Sequence, residues 1–445
     1  MVNFSSEIKN FFIVSKYDNL DFFCSYQNHL KELLLLTDAF LTFWESVLPQ
    51  NAFYLRKLRI GAGNVSKTWI KDNFDSFEFT SKLELQNSQS SYPPYGDFHY
   101  LDHAQYNRFH QTSGSSGKPL LFLDSKDGWE WLLNNWFKIF ELAGIEKGDR
   151  LFFPFSFGPF LGFWTAFEAA CKAGYLSFPG GGMSSEARLA LIQNQKINIV
   201  FTTPSYALRL GEVARSQGIN LQDLGLKKLV LAGEPGANIP ATRLRIEKDW
   251  GPIVVDHHGM TETGPVTVEC SATPGLLHII EEAFVAEVID QNTQKIRSFG
   301  SIGELVLSSI GRAGCPLLRY RTGDIVHLTH QKCACGFNGQ SLMGGILSRA
   351  DEMIFLKGNN IYPSVLQNML HSIAGILEFR ITFRKSDGSS DLMFEIETLL
   401  SDSELIITRL EKVIQSAFLF KPVIKIVPKG TLPRQEMKSK RFIQI

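Results

Sequence analysis

Between residues 150 and 256, short β-branched or aromatic runs alternate with segments whose apolar residues recur at three- and four-residue steps. The runs at 151–155, 197–202, 228–232 and 253–256 predict strands, and 160–172, 204–216 and 239–249 predict helices between them. Strands alternating with helices of this length imply parallel sheets covered by helices. Just before this unit, Trp129, Leu132, Leu133, Trp136, Phe140 and Ala143 share one helical stripe, and Gly144 stands where a C-terminal cap belongs. So broad an apolar stripe predicts a core-facing helix rather than a ligand box.

After Asp351 the pattern changes. Strands are expected at 378–383 and 391–397, a helix at 403–418 and a strand at 423–427, with Ser401 and Glu404 spaced as a capping box. The expectation is an α/β protein of two domains, a large N-terminal one over 1–350 and a small α+β lid over 351–445.

Composition narrows the function. With 44% hydrophobic residues in 445, the chain can bury a substantial core. Lys plus Arg and Asp plus Glu balance at 45 each, so no net field favours nucleic acid or an acidic membrane surface, and a small ligand bound locally fits better. No run of about 18 apolar residues occurs, and residues 1–14 lack a small-residue cleavage pattern, so a soluble cytoplasmic protein is expected. Six cysteines are too few and too unevenly placed for a disulfide framework. Of these, Cys24, Cys171 and Cys315 read as interior cysteines.

The densest chemistry lies in Thr112-Ser113-Gly114-Ser115-Ser116-Gly117-Lys118-Pro119. Glycines let backbone N–H groups approach an anion, hydroxyls add donors, and Lys118 adds charge, so the loop suits phosphate. It is not the G-x-x-x-x-G-K-[ST] loop, because Thr112 and Pro119 occupy a required glycine and a required hydroxyl position. Alone, such a stretch reads equally as a flexible connector.

It is followed by Gly259-Met260-Thr261-Glu262, Tyr320-Arg321-Thr322-Gly323-Asp324, Ser348-Arg349-Ala350-Asp351-Glu352 and Leu432-Pro433-Arg434-Gln435-Glu436-Met437-Lys438-Ser439-Lys440-Arg441. In this order and spacing the motifs resemble those of the acyl-adenylate-forming enzymes. Phe53-Tyr54-Leu55-Arg56-Lys57, Pro179-Gly180-Gly181-Gly182, Thr203-Pro204-Ser205-Tyr206-Ala207-Leu208, Ala232-Gly233-Glu234-Pro235 and Lys357-Gly358-Asn359-Asn360-Ile361-Tyr362-Pro363 make the chain most similar to the phenylacetate-CoA ligase family.

The resemblance implies ATP-dependent activation of a carboxylic acid to an acyl-adenylate, then transfer to CoA. A carrier protein or an amine as acceptor, and a catalytically silent nucleotide-binding homologue, are the alternatives. It further implies that residues 112–118 cradle the triphosphate, that Gly233, Glu234 and Pro235 meet the nucleotide, and that Glu262 binds magnesium beside Thr261, a donor to the α-phosphate. Asp324 would accept from the ribose, Arg349 contact phosphate or ribose, and Lys438 bridge carboxylate and α-phosphate. Asp351 would be the hinge and Gly358 would flank the thiol tunnel. Two positions depart from the family. His258 stands where a tyrosine usually stacks on adenine, and Met437 replaces a glycine before the lysine.

Cys270, His278, Cys333 and Cys335 suit tetrahedral zinc, a structural site in a subset of the family, with His327 or His330 as alternative imidazoles and a metal-free cysteine cluster as the plain reading. Phe152, Phe153, Phe155, Phe157, Phe160, Phe163 and Trp164 lie where the family builds its acid pocket. Phe155 and Phe160 are taken as its lining and the other rings mostly as core, which suits an aryl or arylacetic acid. The expected partners are therefore a carboxylic acid, ATP and CoA, with a carrier protein as the alternative acceptor; the sequence leaves the oligomeric state open, a homodimer being one option.

Overall fold

The computed structural model describes residues 36–112, 118–251, 253–357, 359–386, 389–399, 403–434 and 441–445. The chain enters through four short helices, α1 (Asp38–Val47), α2 (Ala52–Leu58), α3 (Lys67–Asn73) and α4 (Lys82–Ser91). Each starts on a side-chain acceptor, Thr37, Asn51, Ser66 and Ser81 in turn, and Ser81 with Glu84 completes a capping box. Their aromatic faces, Phe40, Trp44 and Tyr54, are buried with Phe74 against Leu317 and Tyr320. Trp44 donates to the Ser309 carbonyl and the Tyr54 hydroxyl accepts from the Leu318 N–H, so burial of the two polar tips carries no unpaired group.

A hairpin follows, β1 (Tyr106–Gln111) and β2 (Leu121–Ser125), and the Ser/Gly-rich stretch falls between its two strands in sequence. Helix α5 (Lys126–Leu142) buries Trp129, Leu132, Leu133, Trp136, Ile139 and Phe140, the expected stripe, and Gly144 takes φ +68° beyond its end. Then come β3 (Arg150–Phe153), α6 (Trp164–Lys172), β4 (Leu176–Pro179), α7 (Ser185–Asn194), β5 (Ile199–Thr202), α8 (Pro204–Ser216), β6 (Lys228–Leu231), α9 (Pro240–Trp250) and β7 (Val254–Met260). Strands β3 to β7 pair in parallel, as the alternating pattern predicts.

The sheet does not stop there. On its other side β7 pairs antiparallel with β8 (Gly264–Glu269), and β9 (Leu276–Ile279), β10 (Phe284–Ile289), β11 (Ile302–Ser309), β12 (Tyr320–Lys332) and β13 (Asn338–Arg349) continue it. The result is one mixed eleven-stranded sheet in the order β10-β11-β12-β13-β9-β8-β7-β6-β5-β3-β4. The parallel sheet expected from sequence is thus half of the structure. Its antiparallel half follows from short links after β7, which leave no room for crossover helices. Strand β7 also runs four residues past the expected 253–256, because the polar His257 and His258 pair with Val268 and Thr267.

Cys315 is buried as expected, but Cys171 is exposed. Helix α6 turns Thr165, Ala166, Ala169 and Ala170 inward, and the next position falls about 100° further round, towards solvent. Cys24 and Ser401 lie outside the described residues.

The C-terminal part has its own core. It holds β14 (Ile354–Leu356), β15 (Asn359–Ile361), α10 (Pro363–Ser372), β16 (Ile376–Ser386), β17 (Ser389–Thr398), α11 (Ser403–Phe418), β18 (Val423–Val427) and β19 (Phe442–Gln444). The four-stranded sheet β18-β17-β16-β19 packs on α11, whose Ile406, Leu410, Ile414 and Phe418 repeat every four residues. It meets the large domain through α9 and α10. There the Thr242 hydroxyl lies 2.6 Å from His371 Nδ1, and the Asn368 side chain accepts from the Ala241 N–H at 3.0 Å. Among the described residues no helix is long and apolar enough to cross a membrane.

Candidate active site

The expected site residues gather at the carboxyl ends of the parallel strands. Phe155 follows β3, Gly233 and Glu234 follow β6, and His258 to Glu262 end β7. The crevice outside these strand ends is where open α/β sheets bind ligands.

Thr261 and Glu262 form the turn at which the sheet changes from parallel to antiparallel. Arg312, only 1% exposed, holds that turn by donating from Nη1 to the carbonyls of Thr261 and Glu262, at 2.9 and 2.5 Å. Its remaining prongs donate to Asp124 Oδ1 and Oδ2 at 2.8 and 3.0 Å. Burial opposes ionisation of Asp124, but the Arg312 charge wins and holds the carboxyl well below its usual range. The largely buried Glu262 carboxylate lies 3.2 Å from Lys82 Nζ at the start of α4. A carboxylate oxygen is the hard donor that magnesium takes, so Glu262 could ligate that ion in exchange for its contact with Lys82.

Across the crevice, His258 Nε2 lies 3.1 Å from Asp324 Oδ2, and Arg349 Nη1 donates to Asp324 Oδ1 at 2.9 Å. Asp324 and Arg349 are register partners in β12 and β13. Gly323, just before Asp324, takes φ +75°, and a Cβ there would lie 2.9 Å from Arg349 Nη2, so glycine suits this close approach. Arg349 Nε reaches Asp351 Oδ1 at 3.1 Å, completing the row His258, Asp324, Arg349, Asp351. Burial alone would raise the Asp324 carboxyl, yet the hydrogen bond and charge of His258 and the charge of Arg349 bring it below its usual value. Further back on β7, burial and the neighbouring Glu269 raise Asp256 to about 7 against the pull of Arg243.

At the start of the Ser/Gly-rich stretch, Thr112 Oγ1 accepts from the Leu120 N–H at 3.0 Å. The Lys118 carbonyl accepts from Gln86, and its side chain points to solvent. Glu234 accepts from the Ser205 N–H at 2.7 Å, so its carboxylate complements the N-terminus of α8, and Gly233 and Pro235 flank it. Phe155 is half-buried against Phe157 and Phe163, and Phe160 is half-buried beside Gly158, whereas Phe152, Phe153 and Phe163 belong to the core. Ser113, Gly114, Ser115, Ser116, Gly117, Gly358, Met437 and Lys438 lie outside the described residues.

Cys270, His278, Cys333 and Cys335 converge, with all four ligand atoms within 4.8 Å of one another. The Cys270 and Cys333 sulfurs are 3.6 Å apart, and Cys335 Sγ is 3.3 Å from His278 Nε2. A tetrahedral zinc with Zn–S of about 2.3 Å needs sulfurs about 3.8 Å apart, so the donor set fits that ion. His278 Nδ1 is oriented by Ser341 Oγ at 2.9 Å, while His327 turns to the Gly300 carbonyl and His330 packs near Phe299. Of the three imidazoles considered from sequence, His278 joins the thiols.

Sequence reasoning missed Lys82, Asp124 and Arg312. Arg312 and Asp124 are 188 residues apart, and no local pattern marks a pair that only the sheet order brings together.

Residues 109–314 match the AMP-binding enzyme family and residues 358–444 match its C-terminal domain. The phenylacetate-coenzyme A ligase of Thermus thermophilus is 30% identical over 72% of this chain and 71% of its own. The chain belongs to the phenylacetate-coenzyme A ligase family. Another phenylacetate-coenzyme A ligase, from Pseudomonas putida, is 28% identical over 83% of this chain and 84% of its own. Among solved structures, 2-hydroxyisobutyryl-CoA ligase with 2-HIB-AMP in the postadenylation state superposes with a TM-score of 0.85 at 25% identity, covering 94% of this chain and 90% of that one. The same ligase with CoA in the thioesterification state covers the same shares but gives 0.68. This member of the phenylacetate-coenzyme A ligase family therefore holds its two domains in an arrangement nearer the former.

Proposed function

We propose that this protein activates a carboxylic acid with ATP and magnesium to an acyl-adenylate and then forms the CoA thioester, acting in the cytoplasm on an aryl or arylacetic acid. The observation that carries this reading is the row of His258, Asp324 and Arg349 beside the carboxyl end of β7, with Glu262 four residues beyond His258 along the chain, in a chain of this family. In such a reaction a carboxylate oxygen attacks the α-phosphate in line and pyrophosphate leaves. Both reactants are anionic, so catalysis consists mainly of positioning and charge neutralisation.

In this reading Lys438 neutralises charge between carboxylate and α-phosphate, and Thr261 donates to that phosphate. Residues 112–118 cradle the outer phosphates, and Glu262 would hold a magnesium ion, which when bound would supply charge neutralisation. Asp324 accepts from the ribose while Arg349 fixes Asp324, and His258 packs beside the nucleotide together with Gly233, Glu234 and Pro235. Phe155 and Phe160 line the acid pocket. The division into domains falls at 350/351, with Asp351 as hinge, and Gly358 flanks the thiol after the small domain turns. Cys270, His278, Cys333 and Cys335 hold a structural zinc ion.

The test is acid-dependent exchange of labelled pyrophosphate into ATP over a panel of aryl and aliphatic acids, with mass detection of the thioester when CoA is added. Arylacetic acids should stimulate exchange and yield the thioester. Absence of exchange with every acid overturns adenylation, and an adenylate that persists with CoA but discharges onto a carrier protein overturns CoA as acceptor.

A further inference from the structure

Two arginines bracket residues 435–440, and both reach helix α8 of the large domain. Arg434 Nη2 donates to Glu397 Oε2 in the small domain at 2.7 Å, while its Nε lies 3.8 Å from Glu212 Oε2 on α8. Arg441 forks onto Glu378 at 2.6 and 2.9 Å, lies over the Phe379 ring, and donates from Nη1 to Ser205 Oγ at 3.0 Å. Ser205 is in the first turn of α8, and its N–H is taken by Glu234. Each arginine is thus fixed within the small domain by one glutamate and turns a remaining donor across the interface. The narrow cleft between the domains is lined by these same charges, with Arg209 and Arg380 beside them.

We infer that Arg441, seconded by Arg434, is a positioning residue for adenylation, seating the chain on both sides of residues 435–440 against helix α8. The inference rests on the adenylation reading above, in which Lys438 in that segment serves the first half-reaction. A bond across an interface lasts only while the two faces stay together, and it biases the equilibrium by its differential strength in the two arrangements. The chain superposes better on the postadenylation state than on the thioesterification state, 0.85 against 0.68, so these cross-domain bonds are seen in an arrangement nearer the former. Loss of Arg441 should therefore slow adenylation and spare the thiol step.

The experiment compares Arg441→Gln, Arg441→Lys and Ser205→Ala with the wild type, using phenylacetate for pyrophosphate exchange and preformed phenylacetyl-adenylate with CoA for thioester formation. Ser205→Ala leaves the Arg441–Glu378 pair intact, so it keeps the small domain folded even if Arg441→Gln strands Glu378. We expect exchange to fall roughly tenfold or more in Arg441→Gln, as for loss of a charge-assisted hydrogen bond, and several-fold in Ser205→Ala. Arg441→Lys should recover part of the loss, and the CoA step should stay within about twofold throughout. Equal loss in both half-reactions, or unchanged exchange in both Arg441→Gln and Ser205→Ala, overturns the inference. A wild type that shows no exchange with any acid of the panel counts instead against the functional reading.

Discussion

Arg312 and Asp124 form a buried two-pronged ion pair, at 2.8 and 3.0 Å, that ties strand β2 to the Thr261–Glu262 turn. Removing one partner leaves an uncompensated buried charge, so Arg312→Ala should cost about 3–5 kcal/mol in denaturant unfolding. Arg312→Lys keeps the charge and loses the fork. It should fold, yet raise the magnesium concentration needed for half-maximal pyrophosphate exchange, since the Glu262 turn loses its anchor. A magnesium titration identical to that of the wild type would refute this link.

Lys438→Ala and Gly358→Leu should fail in opposite halves of the reaction. The lysine variant should lose roughly 10²-fold to 10³-fold in exchange, as for one electrostatic donor, while still discharging supplied adenylate onto CoA. Lys440→Ala should be mild. The Gly358→Leu variant should retain exchange and lose thioester formation if, as proposed above, Gly358 flanks the thiol only after the domain turns. Single-turnover assays of each step decide.

Purified protein never exposed to chelator should contain one zinc per chain by elemental analysis. Cys333→Ser should lower the melting temperature before it changes the rate of exchange, because metal binding is coupled to folding of the segments it joins. Zinc well below one equivalent would contradict the assignment.

Asp256 gives stability a distinct pH dependence. Its carboxyl is raised from 3.8 to about 7 in the folded chain, first by burial and then by Glu269, so the folded state holds a proton that the unfolded state has released. The resulting stabilisation is complete below about pH 4 and is lost as pH rises through about 7. Asp256→Asn should therefore gain on the wild type progressively across that window in urea unfolding. A difference that is constant with pH would show that Asp256 does not titrate there.

Local chemistry was legible where it was self-contained. Helix α8 begins at Pro204 after the capping Thr203, and α11 shows its apolar step of four, so both were expected at their observed limits. The His278 choice was not legible, because His327 lies as near Cys333 in sequence as a ligand needs to be, and only the β8-β9-β13 order turns His278 towards the thiols. The same holds for Lys82 against Glu262, where α4 reaches the turn after β7 through packing of the N-terminal helices. Asp324 was expected as a ribose acceptor, but its sharing of both oxygens with His258 and Arg349 was not legible, being a consequence of the β12–β13 register.

The eleven-stranded sheet ends at β4 on one side. That edge is four residues long and closes on Pro179, which has no N–H to offer. An incoming strand would find few bonds to make there, so β4 acts as a stop against sheet-to-sheet aggregation. Strand addition at this edge is thereby disfavoured, and lengthening β4 or replacing Pro179 would remove that bar.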